Sequence, residues 1–410
     1  MRKKIVHVIN DFPSKSETFI VNHIVETIKR GYDPILLVNN LKPLNFASQE
    51  KLFEDYNLYE RAISFNSKLP SSKILKVIKA FAILIKNIGY ASVLFRTLNK
   101  KYGKKSRSLK MWFQAASFLN YKDANCFHAH FGICGKLVAE MIEVGAIKTN
   151  LITTFYGIDT FSTEENRESL AKAYSNLFHF SNRIITSSNY LANNLRLLNA
   201  PSEKLVVNPV GVDVNKFKFQ HRKIHDELNL VTVGRLIKLK GQHLGIRAVK
   251  ILVDRGYKIN YTIVGTGDTY NNLKNLIKHL ELEDFITLKQ SKSQNEVIDI
   301  LNRSHLFLMT STTDYFGRAE GQGLVTAEAQ ATGIPAVGFN FGGVPETILH
   351  GKTGFIVSKA NEVNLANSIE KFIKAPALIC QMGEKARELV ERNFNSEIQS
   401  KRIIDLYNAN

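Results

Sequence analysis

The chain has 410 residues, 44% hydrophobic with nine prolines and no low-complexity segment, which implies a globular protein too long for one typical core and therefore two domains. Its three cysteines (Cys126, Cys134, Cys380) are too few and too scattered for a disulfide framework, and beside His128 and His130 they match no common zinc spacing. The net charge is +18, of which residues 1–200 hold +13; with no run of 18 apolar residues to span a membrane and too short an apolar start for a signal peptide, a cytoplasmic protein is expected.

In chain order, residues 5–10 read as a first strand. A turn follows at Asp11-Phe12-Pro13-Ser14, and Ser16-Glu17-Thr18 opens a helix that Gly31 ends. A second strand over 34–39 leads into a long, mostly helical stretch, 49–119. Within it, residues 61–122 contain no acid. Lys73, Lys76, Lys79 and Lys86 fall on one face of a helix, and Ile74, Ile78, Phe81, Ile85 and Ile88 on the opposite face at spacings of four and three. Such a basic amphipathic helix suits an anionic membrane surface. Packing of the stripe on the core would explain the apolar residues equally well, but not the missing acids. Basic and aromatic residues do not interleave, so no nucleic-acid partner is expected.

Strands recur at 124–131, 151–155, 183–187 and 204–208, with helices between them. Short apolar strands each followed by a helix indicate a parallel α/β sheet. A linker at 209–229 interrupts the alternation, which restarts with strands at 230–234, 260–265, 285–289, 305–311, 334–340 and 354–358. A charged helix over about 382–408 is interrupted near Phe394-Asn395-Ser396. The predicted organisation is α/β, with two Rossmann-like doubly wound domains at 1–208 and 209–384 and a final segment at 385–410. Ligands of such domains sit at strand C-terminal ends, here in a cleft that the two domains face.

The chemistry concentrates at 320–335 (EGQGLVTAEAQATGIP). Gly321 and Gly323 keep side chains away from a helix entrance whose unpaired amides and dipole favour a phosphate. Glu320 and Glu328 repel phosphate, so sugar hydroxyls are their natural partners. Arg235 and Lys240, in 233–241 (VGRLIKLKG), fall at a strand end where two cations would neutralise a diphosphate leaving group. Gly265-Thr266-Gly267-Asp268 reads as a turn, and 342–346 (GGVPE) as another sharp loop at a strand end. In the first domain His128, His130 and Tyr156 lie at or just beyond strand ends. Asp159 is placed to bond a sugar hydroxyl or to cap the next helix. Asp11, Ser14 and Ser16 form a polar loop toward the same cleft.

These residues carry a family resemblance. The chain resembles GT-B glycosyltransferases, in particular the large family-4 group of retaining enzymes that use nucleotide sugars, and is especially similar to the exopolysaccharide branch with the colanic-acid glycosyltransferases. The matching marks are 11–20 (DFPSKSETFI), 128–132 (HAHFG), 154–159 (TFYGID), 208–217 (NPVGVDVNKF), 233–241, 320–335, 342–346 and 351–357 (GKTGFIV). They run through nearly the whole chain in the family's order; residues 40–120 carry none of them.

The resemblance implies that Arg235 and Lys240 hold the donor diphosphate and that Glu320 meets the transferred sugar. Gly321, Gln322, Gly323 and Leu324 would offer backbone amides, Glu328 would bind the ribose, and the loop at Gln290 would touch the base. By their places at strand ends rather than by the resemblance, His130 joins Glu320, Arg235 and Lys240 as a catalytic candidate, to orient an acceptor hydroxyl or a donor phosphate, and Asp11, Ser16, Tyr156 and Asp159 are candidates for the substrate and acceptor side. The resemblance implies retention of configuration without a dedicated nucleophile, the leaving phosphate helping to deprotonate the incoming hydroxyl. No cofactor or metal is called for, because the cations and the helix N-terminus neutralise the charge. The acceptor would be a lipid-linked saccharide of a surface polysaccharide, met at the inner membrane face, and the last helix would pack back on the first domain. One departure stands out: Tyr156 occupies a position where many relatives carry histidine, and a tyrosine is neither cation nor base near pH 7. Two alternatives stay open, a nucleotide-sugar 2-epimerase of the same fold and a non-catalytic sugar-nucleotide or polysaccharide-binding protein.

Overall fold

A computed structural model describes residues 2–14, 17–47, 49–66, 70–222 and 227–408. One sheet contains β1 (Lys4–Phe12), β2 (Asp33–Leu41), β3 (Ala62–Ser64), β4 (Cys126–His130), β5 (Asn150–Phe155), β6 (Arg183–Thr186) and β7 (Leu205–Val207), in the order β3-β2-β1-β4-β5-β6-β7. The other contains β8 (Leu228–Val233), β9 (Ile259–Val264), β10 (Ile286–Lys289), β11 (Leu306–Met309), β12 (Ala336–Phe339) and β13 (Gly354–Val357), in the order β10-β9-β8-β11-β12-β13. All these pairings are parallel. β4, β11 and β12 are buried along their whole length, as expected for apolar runs covered on both faces.

In each sheet the strand order reverses once, between β1 and β4 and between β8 and β11. At such a switch point the loops leaving two neighbouring strands diverge, and the crevice between them is where a doubly wound fold receives its ligand. The sequence places its polar loops and glycines at these positions.

The chain divides into two compact units. The first comprises residues up to Thr186, Asn194–Val207 and the segment from Ser400; the second comprises Ser187–Asn193 and Asn208–Gln399. The core of the first joins Val6, Val8, Phe127 and Leu151 of the sheet to Trp112 and Phe118 of the helix Lys110–Leu119 and to Val138 and Met141 of Gly132–Val144. Burying each of these large side chains contributes on the order of 2 kcal/mol. The second core centres on Leu230, Ile263 and Leu308, closed by Ile246 and Val249 of the helix Gln242–Asp254 and Ile369 and Phe372 of Glu362–Lys374.

Two features differ from the sequence-based reading. β3 lies inside the stretch read as helical; three residues, AIS, carry no usable periodicity, and only their pairing with Leu36–Val38 defines them. The terminal charged segment breaks where the sequence places its interruption, into Ala377–Asn393 and Ser396–Leu406, but less of it returns to the first domain than expected. The first helix stays with the second unit, where Arg387 donates to the carbonyls of Phe217 (2.7 Å) and Ala331 (2.8 Å), and only the part from Ser400 joins the first unit. Of the two readings of the helix Lys73–Lys86, packing of the stripe on the core is the one the structure does not show: the helix rests on the core through Ala80, Ile83 and Leu84 and leaves its long apolar stripe exposed.

Candidate active site

In the second unit, β8 ends at Val233, and the chain turns through Gly234 and Arg235 into a short 3-10 turn, Lys238–Lys240. β11 leaves the sheet beside it. Thr310 donates through Oγ1 to the Lys240 carbonyl at 2.8 Å, and the Thr312 amide donates to the Leu239 carbonyl at 2.8 Å. Gly241 makes this fit possible: its φ is +61°, and a Cβ there would lie 2.1 Å from the Thr310 carbonyl oxygen. The two switch-point loops are therefore laced together through the Leu239 and Lys240 carbonyls, which fixes the direction of Lys240.

Lys240 forms an ion pair with Glu320, and the Ser311 hydroxyl donates to the same Glu320 oxygen at 3.2 Å. The Glu320 carbonyl accepts from the Gly343 amide at 2.8 Å, and Gly342 packs so closely that a Cβ would approach that carbonyl to 2.2 Å. Burial alone would push the Glu320 carboxyl up. The Lys240 charge and hydrogen bond, the Ser311 hydroxyl and the Arg235 charge outweigh it and hold the group below its ordinary range. Arg235 itself is exposed. An anion and two cations thus share one switch point, with hydrogen-bonding capacity for hydroxyls and phosphate oxygens respectively.

Next comes the helix Leu324–Ala331, entered through Gly323 at φ +86° with no side chain capping it. Its first-turn amides precede any intrahelical partner. Glu328 lies one turn further in; burial pushes its carboxyl up to about 7, with the Lys216 charge opposing. The side chain of Gln322, as distinct from its backbone N–H, ties the loop to the linker: its amide nitrogen donates to the Val210 carbonyl (2.9 Å) and its amide oxygen accepts from the Val210 N–H (2.8 Å). The Gly321 carbonyl accepts from the Ser188 hydroxyl at 2.6 Å. Gln290 follows β10 in an exposed position. Sequence reasoning missed Ser188, Ser311 and Glu346. The Glu346 carboxylate accepts from the amides of Asn189 (2.8 Å) and Tyr190 (2.9 Å), so this acid of the GGVPE run caps the helix Asn189–Leu197. A cavity of about 360 Å³ bordered by Thr262, Lys289, Glu296 and Arg303 shares none of these site residues.

In the first unit the histidines form a buried network. His130 Nε2 meets His7 Nδ1 at 3.0 Å, and its Nδ1 meets the Tyr156 hydroxyl at 2.9 Å. His128 uses Nε2 on Thr154 (2.8 Å) and Nδ1 on the Tyr407 hydroxyl (2.7 Å), which also meets His23 Nε2 at 2.6 Å. Burial is the main reason that His7, His128 and His130 stay far below the ordinary histidine range, and it lowers His23 to about 3. All four are therefore neutral near pH 7. With both His130 nitrogens engaged, its effect on a ligand passes through the half-buried Tyr156, whose hydroxyl burial keeps protonated. His7, His23 and His128 bring ring nitrogens within 4.8 Å of one another, a geometry that suits a metal ion, and Tyr407 bridges two of them.

Asp159 turns out to serve the backbone. Its carboxylate accepts from the amides of Gly132 (2.9 Å) and Gly157 (3.1 Å), capping Gly132–Val144 rather than the helix that follows it. The same loop holds Phe131 at φ +71°, an uncommon conformation for a bulky residue. Asp11, at the end of β1, pairs with Lys42 at 3.2 Å and accepts from Asn40 at 3.1 Å. Ser16 lies outside the described residues. Glu17, beside it, was read only as part of a helix start; burial and then the Asp11 charge push it up to about 7 against Lys42.

Residues 213–389 match the model of the family described as Glycosyl transferases group 1. The chain is 29% identical over 409 residues to an Escherichia coli K12 protein named for colanic acid biosynthesis, glycosyltransferase WcaL, covering 99% of this chain and 100% of the relative. It is 29% identical over 406 residues to the amylovoran biosynthesis glycosyltransferase AmsK of Erwinia amylovora, covering 98% of each chain. Among solved structures, Anabaena HepE in complex with UDP superposes with a TM-score of 0.74 at 16% identity, covering 100% of both chains. The fold is GT-B, and residues 213–389 are similar to the group 1 glycosyltransferase domain.

Proposed function

We propose that this chain, a GT-B protein with a domain similar to that of group 1 glycosyltransferases, transfers a hexose-type sugar from a nucleoside-diphosphate sugar to a saccharide acceptor in exopolysaccharide biosynthesis. The observation that carries this reading is the Lys240–Glu320 pair at the β8/β11 switch point, with Arg235 beside it and the Leu324–Ala331 amides next along the chain. The two full-length relatives named for colanic acid and amylovoran biosynthesis support the polysaccharide context.

In this reading Arg235, Lys240 and the first-turn amides receive the diphosphate, Glu320 accepts hydrogen bonds from the transferred sugar, and Glu328 from the ribose. The bond from the anomeric carbon to the phosphate oxygen breaks, and the acceptor oxygen bonds to that carbon on the same face. The acceptor's proton passes to the departing phosphate, which gives retention without a protein nucleophile. Charge neutralisation by the two cations does the work that a metal would do. On the acceptor side, Tyr156 backed by His130, together with Asp11, are the groups that offer hydrogen bonds, because Asp159 is spent on Gly132 and Gly157. A lipid-linked saccharide at the inner membrane face is the acceptor class proposed.

A thermal-shift panel of nucleotide sugars identifies the donor, and transfer to a polysaccharide-repeat acceptor with NMR of the product gives its anomeric configuration. Free epimerised sugar formed without acceptor would replace this reading with the 2-epimerase. A Glu320→Ala protein that transfers at the wild-type rate would remove the site assignment.

A further inference from the structure

The helix Lys73–Lys86 rests on the first unit by one narrow face and exposes the other. Ile74, Ile78, Phe81 and Ile85 project outward, and the stripe continues past the helix end to Ile88 and Phe95; these six side chains are 55–73% exposed. Soluble monomers rarely present so many large apolar groups together. The charges fit a particular cover. Residues 61–122 contain fourteen Lys and Arg and no Asp or Glu. Lys101 and Lys105 are answered by Glu143 and Glu140, whereas Lys73, Lys76, Lys79 and Lys86 have no acidic partner among the described residues. Lys79 and Lys86 stand seven apart along one edge of the apolar stripe, where an ammonium group meets the rim of whatever receives the stripe.

Among the described residues no single helix is long and apolar enough to cross a bilayer, and Lys73–Lys86 meets Ile88–Arg96 at 99°. An elbow of that kind, apolar outside and bordered by cations, lies in a lipid interface rather than through it. We propose that residues 73–96 form a monotopic anchor that inserts Ile74, Ile78, Phe81 and Ile85 among the acyl chains of an anionic bilayer, with the lysines at the lipid phosphates. The anchor does not depend on the sugar-transfer chemistry and is tested without donor or acceptor.

The test is co-sedimentation of the full chain with vesicles of phosphatidylglycerol mixed into phosphatidylcholine, and with phosphatidylcholine alone. Wild type should bind the anionic vesicles far more strongly and remain partly bound in high salt. Charge reversal in Lys73→Glu/Lys79→Glu/Lys86→Glu should weaken binding by at least about 100-fold. Ile78→Asp/Phe81→Asp/Ile85→Asp should weaken it at least as much, by about 100-fold or more. All six substituted side chains are exposed and Trp112 is buried, so unchanged Trp112 emission verifies folding. In a Phe81→Trp protein, brominated acyl chains should quench the added emission. Undiminished binding by the aspartate variant, or absence of quenching with binding intact, overturns insertion. A stable dimer in solution that the aspartates dissolve would show that the stripe serves a second copy of this chain instead.

Discussion

Replacing Glu328 by glutamine removes a carboxyl whose ionisation the fold opposes. Its pKa is pushed from an ordinary 4.5 to about 7, chiefly by burial in the second turn of Leu324–Ala331. Because the folded value lies above the unfolded one, its contribution is whole below the unfolded value and is lost as pH rises through the folded value near 7. That displacement is worth roughly 3 kcal/mol between the two ends of the window. Glu328→Gln should therefore match wild type, apart from a constant offset, near pH 4.5 and gain about 3 kcal/mol on it by pH 8. In a melt of the second unit this is a relative rise of about 6–12 °C. Ribose hydroxyls bond best to the ionised carboxylate, so nucleoside diphosphate binding near pH 6.5 should release a proton in wild type and none in the variant. Calorimetry in buffers of different ionisation enthalpy reads that release. A stability difference that stays flat from pH 4.5 to 8 would refute the burial reasoning, and binding without proton release would refute the ribose assignment.

Other perturbations test the lacing around the site. Lys240→Met strips the partly buried Glu320 of its cation, and should cost about 2–3 kcal/mol at pH 7 and about 100-fold or more in kcat/KM, on the order expected for a lost electrostatic contact. The stability part should shrink on acidification, since the depressed Glu320 pKa stabilises above the ordinary carboxylate range and stops doing so as the group protonates. Gly241→Ala meets both an unfavourable φ and the Thr310 carbonyl, and urea unfolding should show a loss of about 2–4 kcal/mol. Tyr407→Phe leaves His23 Nε2 and His128 Nδ1 without their shared hydroxyl in a buried place; a loss of about 2–3 kcal/mol with donor affinity unchanged is the expected result.

The alternation of strands and helices was legible because each strand is a short apolar run followed by a periodic helix. The switch points became visible through the residues just past the strand ends: glycines with a cation after β8, and glycines with an acid after β11. Harder to read were side chains whose partners lie far along the chain. His7 and His23 look like isolated polar residues in apolar stretches, and only folding brings them to His128 and His130. Asp159 looks available for a ligand in the sequence, yet its carboxylate is spent on backbone amides, and the Glu346 carboxylate, which the sequence shows only as part of a sharp loop, is spent in the same way. Spacing reports which face a residue occupies, but not whether its hydrogen bonds are already taken. The apolar stripe of Lys73–Lys86 illustrates the converse. Its periodicity is that of a core helix, and only the packing of Ala80, Ile83 and Leu84 shows which face turned inward.

The last helix gives the chain a timetable. β7 ends at Val207, so a ribosome has produced every strand of the first sheet while Ile403, Ile404 and Tyr407 are still nearly two hundred codons away. Those residues complete the cluster of Ile5, Cys126, Ile152 and Ile185 and hold His23 and His128. During that interval the nascent first unit lacks the residues that cover this cluster and the hydroxyl that the two imidazoles share. Cleavage near Gln399 would return the mature protein to that unfinished stage, with the sheet intact and its keystone missing.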